Sequence, residues 1–528
     1  MQPAGGILSC PPIPFRARVQ TRRREEWRQA SVSRQNRSVK PGLSRADRLL
    51  LAGVVLLAAG TFAAATRHMT QSVYQDEVEV SRYASGNTLA DVFWQTIGER
   101  PYPPLYFFAV HYWLRVQSGE AALRMPAAVF GALAIVAVFF LGRELGGGVI
   151  GAVAALFFAL APGVFIYSVN ASAYTLLMLA SALSTLFLFR AARSDGWGDW
   201  LGYAAFALIG LGTHTLFMLV LAGQGFAGLY LRRSRRFFLV MSLLASVALA
   251  WSLFYMRYGG DVRAPQAGRF PPLVLILTTA GMYLGALSRG SLPQLSLWCL
   301  LQAIGGTLLF LRMRRTFRAL AIFATVSVVS TTLFVALTLR FIAYRYALGV
   351  FPVACVIAAY SFTPLRRAFA RVAIAAIAVG YAAAGVVFIA TSTDRTFEWQ
   401  DWRSIAHYVE GRTVPGDVII LTRADAMQLN YYYRGKAQLI EAPPKEIELL
   451  IEQMLKPGSG RDRVWVVVST FANPNPIVAR FSETGRTGLN KLVAQFAERI
   501  GRYHLTVAQT AELRQAMVVL ITREPPRE

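Results

Sequence analysis

Residues 74–106 read YQDEVEVSRYASGNTLADVFWQTIGERPYPPLY. This is the only long polar interval between a first apolar run, Leu49 to Thr66, and the dense apolar region that follows, and it carries Asp76, Glu77, Glu79, Glu99 and Arg100. Its surroundings decide the fold. Of the 528 residues, 55% are hydrophobic and 16% charged, and mean hydropathy is +0.42. These values depart from those of soluble domains toward those of multispan membrane proteins.

A formal charge of +25 raises nucleic acid as a partner, but positively charged cytoplasmic loops sum to the same balance. The placement of the arginines separates the two. They form short clusters at the ends of apolar runs: Arg232, Arg233, Arg235 and Arg236; Arg312, Arg314, Arg315 and Arg318; Arg366, Arg367 and Arg371. That is membrane topology, and nucleic acid is set aside. Cys10, Cys299 and Cys355 give neither a disulfide framework nor paired metal-ligand spacing. No cleavable signal is evident, since the first apolar run follows a long basic stretch and lacks a cleavage site.

Residues 1–44, rich in Arg, Ser, Gln and Pro, lack the apolar content to offset chain entropy and are expected to be a disordered cytoplasmic tail. Retention of its basic residues orients the first span and places the loop from Arg67 to about residue 118 outside. Pro103 to Val116 covers only about 21 Å of a roughly 30 Å hydrocarbon core and is expected to lie in the outer interface. Further spans are expected at Arg124 to Leu141, Val149 to Tyr167 and Tyr174 to Phe189, then as two short ones within Leu201 to Leu231 turning near His214. Phe237 to Tyr255, Leu295 to Leu311, Leu320 to Leu339, Tyr346 to Phe362 and Ala368 to Ala390 follow, with Pro271 to Leu287 interfacial or re-entrant. Positive charges then fall inside each time, giving about 11 to 13 membrane helices with the C-terminal segment outside.

After Thr391 the composition becomes that of a soluble domain. Strand-like runs at Asp417 to Thr422, Gln438 to Glu441, Arg463 to Ser469, His504 to Gln509 and Met517 to Thr522 alternate with helical patterns at Glu446 to Leu455 and Leu489 to Ile500. They predict a small α/β domain over residues 392–528. The whole is expected to be a mainly α polytopic membrane protein, residues 45–391, carrying that domain.

Several stretches in order resemble one family. RPYPPLYFFAVHYWLRV, ALRMPAAVFGALAIVAVFFLGRELGG and LFFALAPGVFIYSVNASAYTLLMLASALSTLFLFRA are followed by GLGTHTLF around His214, by Tyr344, Arg345 and Tyr346 entering a run with Pro352, and by DWRSIAHYVEGRTVPGDVIIL. Together they resemble the GT-C glycosyltransferases, specifically the bacterial branch of the dolichyl-phosphate-mannose protein mannosyltransferases (family 39), to which the lipid A aminoarabinose transferases are related. The resemblance implies transfer of a sugar from a polyprenyl-phosphate donor to a lipid, glycan or protein acceptor on the outer face of the inner membrane.

That chemistry needs a base for the acceptor hydroxyl and cationic or metal help for the departing phosphate. The resemblance assigns the base to Asp76, with Glu77 its acidic partner; Glu79 is expected on the surface. Arg345 is the leading phosphate ligand because a planar guanidinium fork suits phosphate, although an arginine snorkelling to headgroups occupies the same position. Arg340 is better explained that way. Tyr346 flanks Arg345, and Glu99 with Arg100 matches an acidic and basic pair near the donor phosphate in the aminoarabinose branch. His214 matches a Thr-His pair and is either a substrate contact or a structural donor; His111 is expected to be packing.

Where many relatives have a glutamate and an arginine, this chain has Asn170 and Ser172. Asn170 can hydrogen-bond a sugar hydroxyl, but it is no base and a weaker metal ligand. A divalent metal therefore stays open as a cofactor, and a catalytically degenerate glycolipid-binding relative stays open beside the enzyme. A lipid or glycan transporter is a further alternative, which would place ionisable residues at mid-membrane within repeated halves. Trp399, Asp401, Trp402 and Arg403 are expected to form a juxtamembrane aromatic belt.

Overall fold

The computed structural model describes residues 42–99, 102–259, 292–334, 344–363, 368–392, 401–421, 423–442, 446–456, 459–469, 498, 500, 505–513 and 516–523. Pro271 to Leu287, Arg100, Arg340, Arg366, Arg367, Trp399 and nearly all of the basic tail lie outside these, as does the side chain of Glu99.

Helix α1 (Arg45–Thr66) begins where the Ser44 hydroxyl accepts from the Asp47 amide at 3.0 Å and Asp47 accepts from the Ser44 amide at 3.3 Å. Reciprocal capping of this kind satisfies donors that a helix start leaves open. The polar interval folds as three short helices, α2 (Gln75–Ala84), α3 (Leu89–Glu99) and α4 (Leu105–Val116). The 12 residues of α4 are too few to cross a bilayer core. Its buried Tyr106, Phe107, Val110 and His111 pack with Val78 and Tyr83 of α2 and Leu123 of the next helix. His111 bonds the Ala84 carbonyl through Nδ1 at 2.8 Å, the packing role expected of it.

The helical body continues with α5 (Glu120–Gly146), α6 (Gly148–Ala159), α7 (Pro162–Val169), α8 (Tyr174–Ser194), α9 (Trp197–Thr213), α10 (Phe217–Leu231) and α11 (Arg235–Tyr258). Then come α12 (Leu292–Arg312), α13 (Arg314–Phe334), a 3-10 turn (Tyr344–Ala347), α14 (Phe351–Ala359) and α15 (Ala368–Thr391). Among the described residues seven helices are long and apolar enough to cross a membrane, or eight when α6 and α7, bent by 61°, count as one. The chain is a multi-pass membrane protein. Of the additional crossings expected from sequence, α10 and Phe351–Phe362 are apolar but shorter. The span expected as continuous from Val149 to Tyr167 is broken at Pro162, which starts α7; proline has no amide to donate and its ring clashes with the preceding turn. Between α5 and α6 the backbones approach so closely that a β-carbon on Gly142 would sit 2.8 Å from the Gly151 Cα. The intervening Gly147 has φ of +91°, a conformation that only glycine adopts cheaply.

The C-terminal region is a mixed five-stranded sheet in the order β2-β1-β3-β5-β4, with β1 (Val418–Leu421), β2 (Gln438–Glu441), β3 (Arg463–Ser469), β4 (Leu505–Leu513) and β5 (Ala516–Arg523). β1 pairs in parallel with β2 and β3, while β5 runs antiparallel to β3 and β4. Side chains alternate between the faces. Ile419, Leu421, Trp465 and Val467 pack on α16 (Trp402–Glu410) and α17 (Arg423–Tyr432), whereas Val418, Ile420, Val464 and Val466 pack on α18 (Ile447–Met454). Trp402 is 1% exposed within the first of these cores. The expected aromatic belt is corrected accordingly: Trp402 is a core residue, and Asp401 caps α16 by accepting from the Ser404 amide at 3.1 Å.

Candidate active site

Asp76 and Glu77 occupy the first turn of α2, where acidic side chains are favoured by the partial positive charge of the helix start. One residue of helix rotates a side chain by about 100°, and the two carboxylates diverge. Glu77 points inward, fully buried. Its Oε1 accepts from Arg124 Nε at 2.7 Å and the Ala171 amide at 2.9 Å; its Oε2 accepts from Arg124 Nη2 at 2.5 Å and the Tyr74 amide at 3.3 Å. Four donors fill the four lone-pair positions of a carboxylate. Glu77, expected beside Asp76 as a catalytic carboxylate, therefore has no lone pair open to an acceptor hydroxyl.

Arg124 completes the arrangement by donating from Nη1 to the carbonyls of Met69 (3.0 Å) and Gln71 (2.7 Å) and from Nη2 to that of Ser72 (3.1 Å). Its five N–H groups are thus all engaged, binding the start of α5 to the chain that leads into α2. Glu79, expected on the surface, is 6% exposed.

Asp76 faces the other way and remains partly exposed. Its Oδ2 accepts from Arg345 Nη1 at 3.1 Å, a contact between residues 269 apart in sequence, with side chains 39% and 31% exposed. Arg345 sits in the 3-10 turn, and the chain just beyond it is tied to α8 by the Ser181 hydroxyl donating to the Gly349 carbonyl. The Nε–H of Arg345 is buried without a partner among the described residues. Tyr167, Tyr174 and Tyr346 lie within electrostatic reach of it. Burial raises the Tyr346 hydroxyl above its ordinary pKa, partly opposed by Arg345.

His214, which follows α9 directly, packs its ring 5.2 Å from Tyr174 and 5.8 Å from Tyr102. Burial, and then the nearby Arg345 charge, pushes its pKa down to about 3, so the ring is neutral. Nδ1 accepts from the Leu216 amide at 3.1 Å, which leaves Nε2 carrying the proton. Asn170 caps α7 and is half-buried; the neighbouring Ala171 amide is held by Glu77 as described. The Ser172 hydroxyl is buried without a partner among the described residues. The structure thus brings together Asp76, Arg345, Tyr346 and His214, and sets the loop carrying Asn170 beside them through Glu77.

The sequence reasoning singled out Tyr346 but not the other tyrosines around Arg345, Tyr167 and Tyr174, nor the Arg124 clamp. The signal for the first was present in the number of tyrosines at helix ends; none marked Arg124, which reads as the start of a span. As for a metal, among the described residues no three of His, Cys, Asp and Glu converge to hold one. The exposed carboxylate at the site faces an arginine, a poor donor set for a divalent ion, and the positive charge there is supplied by Arg345.

The fold is therefore a multi-pass helical body in which a carboxylate of the first large loop meets an arginine of a late 3-10 turn, followed by an α/β domain. Residues 101–257 match the family model for dolichyl-phosphate-mannose-protein mannosyltransferase. The fold is similar to the crystal structure of ArnT from Cupriavidus metallidurans in the apo state, at 15% identity and a TM-score of 0.53 over 89% of this chain and 97% of that one. The same protein bound to undecaprenyl phosphate is similar at 13% identity and a TM-score of 0.51, over the same shares of the two chains. The Archaeoglobus fulgidus oligosaccharyltransferase in complex with Zn and sulfate is similar at 13% identity and a TM-score of 0.50, over 79% of this chain and 67% of that one. Among curated proteins none matches the sequence. At such identities the likeness to solved structures carries the fold alone.

Proposed function

We propose that this protein is a membrane glycosyltransferase that moves a sugar from a polyprenyl-phosphate donor to an acceptor hydroxyl at the extracytoplasmic face of the inner membrane. The observation that carries this reading is the meeting of Asp76 and Arg345. Asp76 keeps Oδ1 uncommitted among the described contacts, so that oxygen takes the acceptor proton as the acceptor oxygen attacks the anomeric carbon. The bond from that carbon to the phosphate oxygen breaks, and the electron pair leaves with the phosphate. Arg345 holds Asp76 through Nη1, and its guanidinium, whose side chain is 31% exposed, receives the departing charge. Fixed cations in a low-dielectric site stabilise developing charge more than they would in water. His214, neutral with its Nε2–H as donor, is assigned to a substrate oxygen. The match of residues 101–257 to the mannosyltransferase family and an ArnT neighbour bound to undecaprenyl phosphate support a polyprenyl-phosphate donor.

The test is transfer from a radiolabelled polyprenyl-phosphate sugar in membranes. Asp76→Asn keeps the shape and loses the base, and the rate is expected to fall about 10²- to 10⁴-fold. An undiminished rate in Asp76→Asn overturns the assignment.

A further inference from the structure

The first large loop carries a second concavity, set apart from the Asp76 end of α2. At the turn from α2 into α3 a cleft of ≈ 360 Å³ is lined by Ser85, Gly86, Asn87, Asp91, Trp94 and Gln95. Gly86 is required for its shape: a β-carbon there would meet Asp91 Cβ at 2.8 Å and the Val92 amide nitrogen at 2.9 Å. Asp91 is fixed by a reciprocal pair with Thr88, accepting from the Thr88 amide at 2.8 Å through Oδ2 while the Thr88 hydroxyl accepts from the Asp91 amide at 3.2 Å. The Thr88 amide, and after it the Thr88 hydroxyl, holds the Asp91 carboxyl below the usual carboxylate range, so it is an anionic acceptor. Gln95, with its amide set so that Nε2 donates to the carbonyls of Arg82 and Tyr83 (3.2 Å each), keeps its carbonyl oxygen as an acceptor.

Trp94 supplies the one aromatic surface. Its side chain is 53% exposed, yet the ring is braced by Phe93 at 5.3 Å and by Phe254 and Tyr258 of α11 at 6.1 Å each. An aromatic held in lipid headgroups for anchoring has no need of a polar cleft around it. Here a carboxylate, two amides and a hydroxyl line the same concavity as the indole. An apolar ring face with polar groups at its rim is complementary to a pyranose, whose C–H face is apolar and whose edge is hydroxylated.

We propose that this cleft is a saccharide subsite for the acceptor: the indole of Trp94 stacks on a pyranose ring whose hydroxyls bond Asp91, Asn87 and Gln95, so the acceptor is a glycan or glycolipid. The proposal rests on the glycosyltransferase reading for the word acceptor, and on the cleft alone for the word saccharide. Asp76 and Ser85 stand at opposite ends of α2, about 14 Å apart at 1.5 Å per residue, roughly the length of a short oligosaccharide. That distance is within the reach of a glycan bound here.

The test is saturation-transfer difference NMR on the full chain in nanodiscs free of sugar detergent, with methyl α-D-mannopyranoside and methyl α-D-glucopyranoside as probes and no donor present. Saturation is expected at the ring C–H protons of at least one glycoside in the wild type and in Asp76→Asn. It is expected to fall at least 5-fold in Trp94→Ala, to persist in Trp94→Tyr, and to weaken in Asp91→Asn, a variant that retains a helix-capping side chain. No transfer to either glycoside in the wild type, or transfer that Trp94→Ala leaves unchanged, overturns the proposal. So does a serine- and threonine-containing peptide that gives Trp94-dependent transfer where the glycosides give none, since it moves the acceptor to protein. Because no sugar is transferred, this experiment can fail while Asp76 still proves to be the base, and the reverse.

Discussion

Asp76 and Glu77 are adjacent carboxylates with opposite assignments, and the difference lies in what each touches. Glu77 and Arg124 are 0% and 3% exposed at their side chains. Removing one member of such a pair leaves an unpaired buried charge, at a cost of about 3–5 kcal/mol. Glu77→Ala is therefore expected to lower the thermal unfolding midpoint of the protein in nanodiscs sharply. Glu77→Leu combined with Arg124→Met recovers part of the loss, because no charge is stranded, although the carbonyls of Met69, Gln71 and Ser72 lose their donor. Asp76→Asn, by contrast, leaves the midpoint near that of the wild type. An unfolding midpoint that responds equally to Asp76→Asn and Glu77→Ala would refute the division of labour. That the segment held an acidic pair was legible in the sequence; that Glu77 has all its lone pairs engaged was not. Beyond the nearby Tyr74 amide, the partners that consume Glu77 lie 47 and 94 residues away, and the more distant is a backbone amide that no side-chain pattern reveals. Arg345 was legible as a candidate cation at the end of a span, but its contact with Asp76 was not, since the two ends of that contact are separated by most of the helical body.

Among the elements, α16 and α17 matter because they dock the α/β domain on the chain leading into α2. Tyr432, at the end of α17, accepts from the Val73 amide at 2.7 Å and donates to Glu120 at 3.2 Å. Arg403 in α16 pairs with the same Glu120 oxygen at 2.7 Å and donates to the Thr70 carbonyl at 2.8 Å. Val73 is three residues before Asp76, so the domain braces Asp76 through the backbone. Tyr432→Phe removes the acceptor for the Val73 amide, at a cost of about 1–3 kcal/mol for a buried donor left unmet. The expected outcome is faster hydrogen exchange over residues 70–76 and a several-fold lower kcat with the KM for donor unchanged; unaltered exchange and kcat would show that the contact braces nothing. The strands of this domain were legible from alternating β-branched residues: β2 and β3 have the bounds that periodicity predicts. Neither flanking helix was. Trp402 and Arg403 in α16 looked like a membrane belt because aromatics and charges just after a span ordinarily are one. In α17 the apolar positions are sparse, and Ala426 and Leu429 become core residues only once the sheet exists to receive them.

Across the molecule, α8 serves as a ruler. Its first residue, Tyr174, packs on His214 beside Arg345, and its C-cap, Asp195, adopts a left-handed φ of 53° at the other end. Twenty-one residues of helix span about 31 Å, the thickness of a hydrocarbon core. At the far end Asp195 accepts from Trp200 Nε1 at 2.9 Å and Ser234 Oγ at 2.9 Å and pairs with Arg232 at 3.3 Å, and Arg236 donates to its carbonyl. Near that end Glu144, half-buried, joins α5 to Arg190 and Arg193 of α8 at 3.1 and 2.7 Å. The two charged layers are thus one membrane thickness apart, one rich in arginine and the other holding Asp76 and the proposed saccharide cleft. This separation, and the multi-pass fold with it, was legible because arginine clusters punctuate the apolar runs. The broken α6–α7 pair was less so, since one proline inside an apolar run does not announce the angle of the bend. Basic residues are retained in the cytoplasm, so the arginine layer is expected there and the α/β domain outside. With Cys10, Cys299 and Cys355 replaced by alanine, Ser459→Cys, exposed on the α/β domain, is expected to react with a membrane-impermeant maleimide in intact spheroplasts. Arg233→Cys, exposed beside the arginine layer, reacts only after the membrane is opened. Labelling in the reverse order would place Asp76 in the cytoplasm and remove the extracytoplasmic assignment of the reaction, while leaving its chemistry at Asp76 and Arg345 to be judged by the transfer assay.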